Sequence, residues 1–501
     1  MELEMTRETL HLERLAGRGE EQVTIEGEAT LPGSMRDAVT VLSVQAQAHI
    51  ASVQSGMGEA IVRGRVQFQV LYTQGDLTRI RTLETGCDFE HPVRMPGVTM
   101  NMRVCGSVAV QETQGLAASG RMTLRAMLDI QTEAFEAIDR DFVIDIHAPG
   151  GEEAMIQKRI QTIAYCTGET LGENRSLVRE EFDLPARLGT GEVLSAAATA
   201  TADDFSGGNG RIGVSGVIQV RVLHRPTAAG AALVSTQHDL PYDLTIDAHL
   251  PEGATPHAIA EVTDVMADSA ESGEGRLLRV EAEVRVVLSL CRQGETQLLE
   301  DVYSVNGPVI EPTVEEIDVH TSQTISDVRE STRLQIALPA DAPPMDTVLA
   351  VFVQPTIAEM RPAGRRLDVD GIMNVTLMYL PVDSDIPRSA FSREPFSMTF
   401  PVEAGEDVRA QAYAIEAMPG PSTSDRVEVR CVLGLRTSQH GVQRVRGVTG
   451  IEQKPPQKQE HGFVLVWPRE GESRWETARR LRLAPESLKP AGGQALLAFR
   501  K

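Results

Sequence analysis

The chain has 501 residues, of which 24% are charged and 41% hydrophobic, and its formal net charge at pH 7 is -23. The excess of acidic residues argues against a nucleic-acid binder. No run of 18 apolar residues occurs, which argues against a membrane-spanning helix. The length suggests about three domains of ordinary size, with some residues left over.

The N-terminus and the cysteines both predict a reducing compartment. The first fifteen residues, MELEMTRETLHLERL, are charged and lack the apolar core of a secretory signal. The cysteines are scattered, odd in number and without a C-x-x-C pair, so we expect reduced and mostly buried thiols. The five are Cys87, Cys105, Cys166, Cys291 and Cys431.

The segment VRGRVQFQVLY (62–72) alternates between two kinds of residue. Val62, Gly64, Val66 and Phe68 fall on one set of positions, while charged and amide side chains fill the other. Successive side chains of a strand point to opposite faces. The pattern therefore predicts an antiparallel strand with one buried face.

The same strand returns as VSGVIQVRVLH from residue 214 and as VDGIMNVTLMY from residue 369. Its glycines, Gly64, Gly216 and Gly371, are 152 and 155 residues apart. A Leu-Pro pair stands 33, 32 and 33 residues before them, and an aromatic residue 25, 26 and 25 residues after them. These constant distances indicate a repeat that is too long for a solenoid unit and long enough to bury its own core.

Inside each repeat the pattern is β throughout. Alternating segments such as RLLRVEAEVRVVLSL and DRVEVRCVLGLRT lie between Gly- and Asp-rich turns. We predict three tandem antiparallel β domains, each a sandwich or a partly open barrel. We expect the repeated glycines to mark a bulge or a close approach of another backbone. The predicted repeats are 1–150, 151–310 and 311–450, followed by a Pro- and Lys-rich linker at 451–462.

No motif of catalysis, metal binding or cofactor binding is recognisable. The sequence lacks G-x-x-x-x-G-K-[ST], H-E-x-x-H and G-x-S-x-G. DVDG at 368–371 offers only the start of a calcium loop. GGNGRIG at 207–213 precedes a predicted strand, whereas a phosphate loop needs a helix. We predict that the protein is not an enzyme and has no cofactor.

The segment 463–501 differs in composition from the rest. Both tryptophans lie in it, and from residue 451 onward ten Lys and Arg stand against six Asp and Glu, a net charge of +4. FVLVW predicts a strand, and ESRWETARRLRL predicts a helix capped by Ser473. APESLKP predicts a second short helix with Pro485 in its first turn, and QALLAF predicts a closing strand. The segment thus predicts a small α+β domain of βααβ order.

This βααβ segment resembles a LysM domain over residues 463–499. Gly471-Glu472-Ser473, Trp475 and Ala478 stand where that family has G-D-T-L-W-x-I-A. The closing G-Q-x-L-x-I of the family is matched at 493–497, and its second helix at Pro485 and Leu488.

Three β repeats followed by one LysM-like domain resemble the SipL family of sporulating clostridia, whose repeats are SPOCS domains. The resemblance rests on the Leu-Pro pair, the glycine-containing strand and the Pro-aromatic segment, and it covers most of residues 20–450. It implies a spore-coat morphogenetic factor in the mother-cell cytoplasm at the forespore surface. It also implies that the LysM-like domain binds the coat-scaffold ATPase, stage IV sporulation protein A, with other coat proteins as further partners.

Two other functions remain open at this point. A LysM domain can bind peptidoglycan or a chitin-type glycan, and it can also target a hydrolase. In the LysM family the sugar lies in a groove between two loops, which here are 469–474 and 489–494. An export signal would favour glycan binding, and an acidic pocket with a strongly shifted carboxylate would favour an enzyme.

The composition of these loops favours a protein partner instead. A rim rich in arginine beside a tryptophan is typical of a protein interface, although Trp475 could also fill the small core while the arginines form a solvated face. The predicted partner-binding residues are Glu472, Ser473, Arg474, Trp475, Arg479, Arg482 and Lys489.

Overall fold

The computed structural model describes residues 3–31, 39–75, 79–148, 155–184, 192–208, 210–226, 233–251, 254–272, 275–402, 407–456, 462–492 and 495–500. Strands make up 83% of it and helix 3%, so the predicted mainly β class is confirmed. Within these ranges no sheet closes into a barrel.

The first repeat contains six antiparallel strands in two sheets. The strands are β1 (Glu4–Thr30), β2 (Val39–Ser55), β3 (Glu59–Gln74), β4 (Arg81–Arg94), β5 (Arg103–Ala118) and β6 (Arg121–His147). One sheet has the order β2-β3-β4 and the other β1-β6-β5. The alternating apolar residues of β3 and β6, such as Phe68 and Leu124, meet in a single buried core between the sheets. The repeat is therefore a sandwich.

The other two repeats have the same plan. The second consists of β7 (Ile156–Asp183), β8 (Glu192–Gly208), β9 (Arg211–Arg225), β10 (Val234–Asp247), β11 (Ala254–Ser272) and β12 (Gly275–Ser304). The third consists of β13 (Val309–Ala337), β14 (Met345–Pro362), β15 (Arg366–Pro381), β16 (Arg388–Pro401), β17 (Asp407–Ser422) and β18 (Arg426–Lys454). Their sheets have the orders β8-β9-β10, β7-β12-β11, β14-β15-β16 and β13-β18-β17. Each repeat has its own core.

The first and last strands of every repeat continue beyond the sandwich as a two-stranded ribbon. In repeat 1 the residues from Glu4 to Leu15 pair with those from His147 back to Phe135. In repeats 2 and 3 the tips of the ribbons are the pairs Ile156–Ser304 and Val309–Lys454. The third strand of each sheet, β5, β11 or β17, ends where the ribbon begins.

The three ribbons pack against one another. Equivalent positions from the three repeats, such as Leu10, Ile163 and Ile317, meet in one buried cluster. A second shared cluster lies nearer the ribbon tips and contains Ile146, Leu299, Val302, Ile310 and Val448. Because equivalent residues meet, the repeats are arranged around a common axis with approximate threefold symmetry. We call the first of these clusters the axial cluster; its members are Leu10, Leu12, Ile138, Phe142, Ile163, Leu298, Ile317, Val319 and Val445.

A third shared cluster joins the sandwiches. It is built around Leu42, Leu194 and Leu349, and each of these leucines is the extra residue of a β-bulge in β2, β8 or β14. A bulge redirects a side chain locally. The same irregularity in each repeat thus supplies one leucine to the cluster.

The repeated glycines lie at a close backbone approach, as predicted. Gly64, Gly216 and Gly371 each stand opposite a second bulge on the preceding strand. Each glycine is also the register partner of the downstream aromatic residue, Phe89, Tyr242 or Phe396. A Cβ on any of the three would overlap a carbonyl oxygen of the preceding strand and would crowd that aromatic ring.

The cysteine prediction is wrong for one pair. Cys166 of β7 and Cys291 of β12 form a disulfide with their Cα atoms 6.0 Å apart. They are 125 residues apart in sequence and become neighbours only through the pairing of the first and last strands of repeat 2. Cys87, Cys105 and Cys431 are free thiols.

The C-terminal module contains β19 (Gly462–Val466), α1 (Arg474–Leu481), β20 (Lys489–Gly492) and β21 (Ala495–Arg500), with the sheet order β19-β21-β20. The expected second helix is only a 3-10 turn, Pro485–Ser487. Pro490 explains this difference, because a residue before proline is disfavoured in helical conformation and Lys489 is extended in β20. The βααβ order is therefore present only in part.

The predicted linker is shorter than the Pro- and Lys-rich segment suggested. Strand β18 continues to Lys454 because residues 451–454 pair with the start of β13. Residues 457–461 lie outside the described ranges.

Candidate functional site

The C-terminal module begins its helix with the cap that the sequence predicts. The Ser473 side chain accepts a hydrogen bond from the Glu476 N–H, and the Glu476 carboxylate accepts one from the Ser473 N–H. This reciprocal arrangement is a capping box. Glu472 lies just before it and binds Arg480 at 2.7 Å. The Arg480 guanidinium and the Arg469 N–H hold the pKa of the Glu472 carboxyl at about 2.

Arg474 closes the module from the other side. Its guanidinium donates to the Pro485 carbonyl at 2.9 Å and to the Leu488 carbonyl at 2.6 Å. The first turn of α1 is thereby tied to the 3-10 turn. Lys489 is exposed on β20. Of the predicted partner-binding residues, Glu472, Ser473 and Arg474 thus make bonds within the module, whereas Lys489 faces solvent.

The other three predicted residues contact repeat 2. The Asp301 carboxylate of β12 accepts hydrogen bonds from Trp475 Nε1 at 2.7 Å and from Arg479 at 3.0 Å. Asp301 is 2% exposed, whereas the Arg479 side chain is 36% exposed, so only the acidic partner of this ion pair is buried. Arg482 donates to the Ser304 carbonyl at 3.1 Å and to its hydroxyl at 2.7 Å.

Tyr303 completes the contact between β12 and the module. Its hydroxyl donates to the Leu483 carbonyl at 2.7 Å, and its ring meets Trp475 edge-on with the centroids 5.1 Å apart. The small core of the module includes Tyr303 together with Ala478 and Leu488. Repeat 2 therefore supplies part of that core. Sequence reasoning missed Asp301 and Tyr303, because they lie about 175 residues before their partners and in a strand with an ordinary pattern.

The opposite face of the module exposes apolar side chains. Phe463 is 79% exposed, Trp467 62%, Leu465 51% and Leu497 38%. Leu465 and Leu497 are cross-strand partners and so share a face, whereas Ala498, next in β21, points to the module's core. We call Leu465, Trp467 and Leu497, with Phe463, the apolar sheet face.

The sequence held a signal for this face. FVLVW is apolar at every position, whereas a strand with one face in water alternates with polar residues. An unbroken apolar run predicts a strand that is covered on both faces. Here one face of the sheet is covered by α1 and β12, and the side chains of the other are exposed within the described residues.

The described residues contain neither a metal-binding cluster nor a membrane-spanning helix. No group of three or more His, Cys, Asp or Glu among them is arranged to hold a metal ion. The part of the chain that the structure describes also contains no helix that is long and apolar enough to cross a membrane.

Comparison with known families identifies the first repeat. Residues 37–114 match the family model described as SipL, SPOCS domain. No curated protein and no solved structure matches the chain. The matched segment contains Gly64 and Phe89 and extends from just before β2 into β5. Repeats 2 and 3 have the same strand order, bulges and glycines. The match links the chain to sporulation and the spore coat, and the first repeat is similar to the SPOCS domain of the SipL family.

Proposed function

We propose that the protein is a non-enzymatic adaptor of spore coat assembly whose C-terminal module binds the coat-scaffold ATPase, stage IV sporulation protein A. The SPOCS domain supports a role in the spore coat. We place this activity in the mother-cell cytoplasm at the forespore surface. A LysM-type interaction with peptidoglycan or chitin-type glycan is the alternative.

The observation that carries the proposal is the apolar sheet face. The module contacts β12 of repeat 2 with its other side, and the side chains of the apolar sheet face are largely exposed. Aromatic and aliphatic side chains that share an exposed face are typical of a protein interface. The net charge of +4 from residue 451 onward favours a partner with an acidic or mixed surface.

The residues predicted from the sequence belong to the same proposal. Lys489 lies on β20 beside the apolar sheet face, because its register partner in β21 is Leu497. In the docked arrangement Trp475, Arg479 and Arg482 bind Asp301 and Ser304. The groups that make these bonds become available to a partner when the module leaves β12.

Binding of the purified coat-scaffold ATPase to the full chain, measured by titration calorimetry, tests the proposal. Leu465→Glu should weaken binding by at least about tenfold, because it places a charge in the centre of a desolvated contact. Leu177→Glu is the matched control, since Leu177 is a leucine of β7 in repeat 2 that is 54% exposed; its affinity should not change. Equal affinities for the wild type and Leu465→Glu would refute the apolar sheet face as the binding surface.

Two further arms separate the remaining possibilities. Asp301→Ala loosens the docking of the module without changing the module's own surface. Reversal of Arg479 and Arg482 to Glu changes that surface as well. If these arginines touch the partner, the double reversal should weaken the complex more than Asp301→Ala does. Chitin oligomers and purified peptidoglycan should not compete. Competition by an oligomer at micromolar concentration would contradict the adaptor proposal and favour glycan binding.

A further inference from the structure

Four buried polar side chains form a row where the ribbons of repeats 1 and 3 leave their sandwiches. Glu13 Oε2 lies 3.5 Å from His320 Nδ1. His320 Nε2 lies 3.2 Å from His440 Nδ1. His440 Nε2 lies 2.9 Å from Glu133 Oε2. The imidazoles are each 1% exposed and the carboxylates 6% and 9%. The row therefore joins repeat 1 to repeat 3 out of contact with bulk water.

Glu13 is ionised. Arg103 donates to it through two nitrogens, and the Gly168 N–H of repeat 2 donates to Oε2 at 2.9 Å. Burial by itself raises the pKa of the Glu13 carboxyl, but the contact with His320 and the charge of Arg103 outweigh it, so that the pKa lies below its ordinary value. A negative oxygen therefore faces His320 Nδ1.

Glu133 is ionised for similar reasons. Arg18 and Arg409 each reach its Oε1 at 3.2 Å. Burial raises the pKa of this carboxyl, but the hydrogen bond to His440 and the two guanidinium charges lower it by more. Cys105 is a further titratable neighbour, and burial raises the pKa of its thiol to about 12, so it stays uncharged. The oxygen that faces His440 belongs to a carboxylate.

A count of protons shows that two neutral imidazoles cannot complete the row. The row has three gaps, and a hydrogen bond in each gap needs one N–H. Two neutral histidines carry only two N–H groups. His440 Nε2 lies 2.9 Å from Glu133 Oε2 and 3.1 Å from Ser438 Oγ. An ionised carboxylate can only accept, so Nε2 carries a proton, and the Ser438 hydroxyl can accept from the same N–H. A neutral His440 then accepts at Nδ1 from His320 Nε2, and His320 Nδ1 is left with a bare lone pair towards the Glu13 carboxylate.

Among the residues that the structure describes, no other group donates to that nitrogen. His320 Nδ1 is a buried nitrogen without a hydrogen-bond partner within normal distance, and the arginines that surround the row donate to the carboxylates. An unsatisfied buried polar atom is costly. One added proton on the row removes the problem, because His320 then donates at both nitrogens.

We propose that the row Glu13–His320–His440–Glu133 is a proton-binding site, which holds one proton more than two neutral histidines and couples repeat 1 to repeat 3. In the unfolded chain, histidines lose their charge near their ordinary pKa of about 6.5. Above that value the folded protein binds one proton more than the unfolded protein. The contribution of this proton to stability is therefore complete below that pKa and falls as pH rises until the extra proton is lost.

Nitrogen NMR of the full chain with 15N-labelled histidine tests the site directly. Assignment uses His320→Gln and His440→Gln. At pH 7.5 we expect His320 as the imidazolium and His440 as a neutral ring, so that no unprotonated ring nitrogen is seen at His320. Two neutral rings, each with one unprotonated nitrogen, would overturn the proposal from the wild-type spectrum alone.

Glu133→Gln is the decisive variant. Its amide oxygen can still accept from Arg18 and Arg409, while its NH2 can donate to His440 Nε2. The direction of the row is then reversed, and two neutral histidines complete all three gaps. We expect the imidazolium signal to disappear. The unfolding equilibrium constant of the wild type should rise up to tenfold per pH unit above pH 7, and this slope should be lost in the variant. An imidazolium that persists in Glu133→Gln would contradict the shared-proton row.

Discussion

The glycine of the recurring strand shows how one residue type fixes a local geometry. Each of Gly64, Gly216 and Gly371 lies between a bulge on one neighbouring strand and an aromatic ring on the other. The sequence predicted the close approach because glycine weakens a strand interior unless something needs the space. The Glu13–His320 contact could not be predicted from the sequence in this way. Glu13, Cys166 and His320 occupy one position of the repeat, 153 and 154 residues apart, but their chemistry differs, so no repeat pattern revealed them.

Gly216→Ala should destabilise repeat 2. A Cβ at this position would overlap the Thr201 carbonyl oxygen and would lie 2.8 Å from the Tyr242 hydroxyl, which itself donates to Thr201. Overpacking of this kind costs about 1–3 kcal/mol. Denaturant unfolding of the variant measures the loss. Gly207→Ala in β8 is the control, because its nearest contact would be 3.7 Å away. Equal losses in both variants would show that the close approach is unimportant.

At the scale of elements, the sequence predicted the helix of the C-terminal module well and its docking not at all. The helix has local signals: an N-cap serine, a glutamate three residues later and helical spacing of Trp475 and Ala478. The prediction of a second helix was wrong, because Pro490 follows this segment too closely for a helix to continue. The contact with β12 is long-range and uses polar side chains, Asp301 and Arg479, whose pairing leaves no local pattern.

Asp301→Ala should release the module from repeat 2. It removes the acceptor of both Trp475 Nε1 and Arg479, and hydrogen bonds to a buried charge contribute about 1.5–3 kcal/mol each. In a Trp467→Phe background, the fluorescence of Trp475 should shift to longer wavelength as its indole meets water. Asp318→Ala, which removes an exposed pair with Arg444, should leave the spectrum unchanged. An unchanged spectrum in Asp301→Ala would mean that this carboxylate does not hold the module.

The whole molecule is three sandwiches with separate cores that are joined by their ribbons. The register of the Leu-Pro pair, glycine and aromatic residue predicted three repeats of similar length. The axial arrangement could not be predicted. The residues that meet at the axis belong to the same long strands as the sandwich residues, and burial inside the repeat's own sandwich would explain their alternating pattern equally well. The repeats therefore depend on one another to bury the apolar side chains of their ribbons.

Phe142→Ala should destabilise more than its own repeat. Phe142 is fully buried in the axial cluster, and its ring lies against Gly447 of repeat 3. Loss of a buried phenylalanine costs about 3–5 kcal/mol. Hydrogen exchange should therefore accelerate in the ribbons of all three repeats. Phe391→Ala, at a site that is 52% exposed, should leave exchange unchanged. Acceleration confined to β1 and β6 would contradict a shared axis.

Hydrogen–deuterium exchange of the full chain, with and without the coat-scaffold ATPase, tests the central claim most directly. If the C-terminal module is the binding element and the three repeats are the body that carries it, the partner should slow exchange in β19 and β21. The cores of the three sandwiches should exchange as before. Protection that appears on the repeats and leaves the module unchanged, or that a glycan oligomer reproduces in the module, would contradict the account.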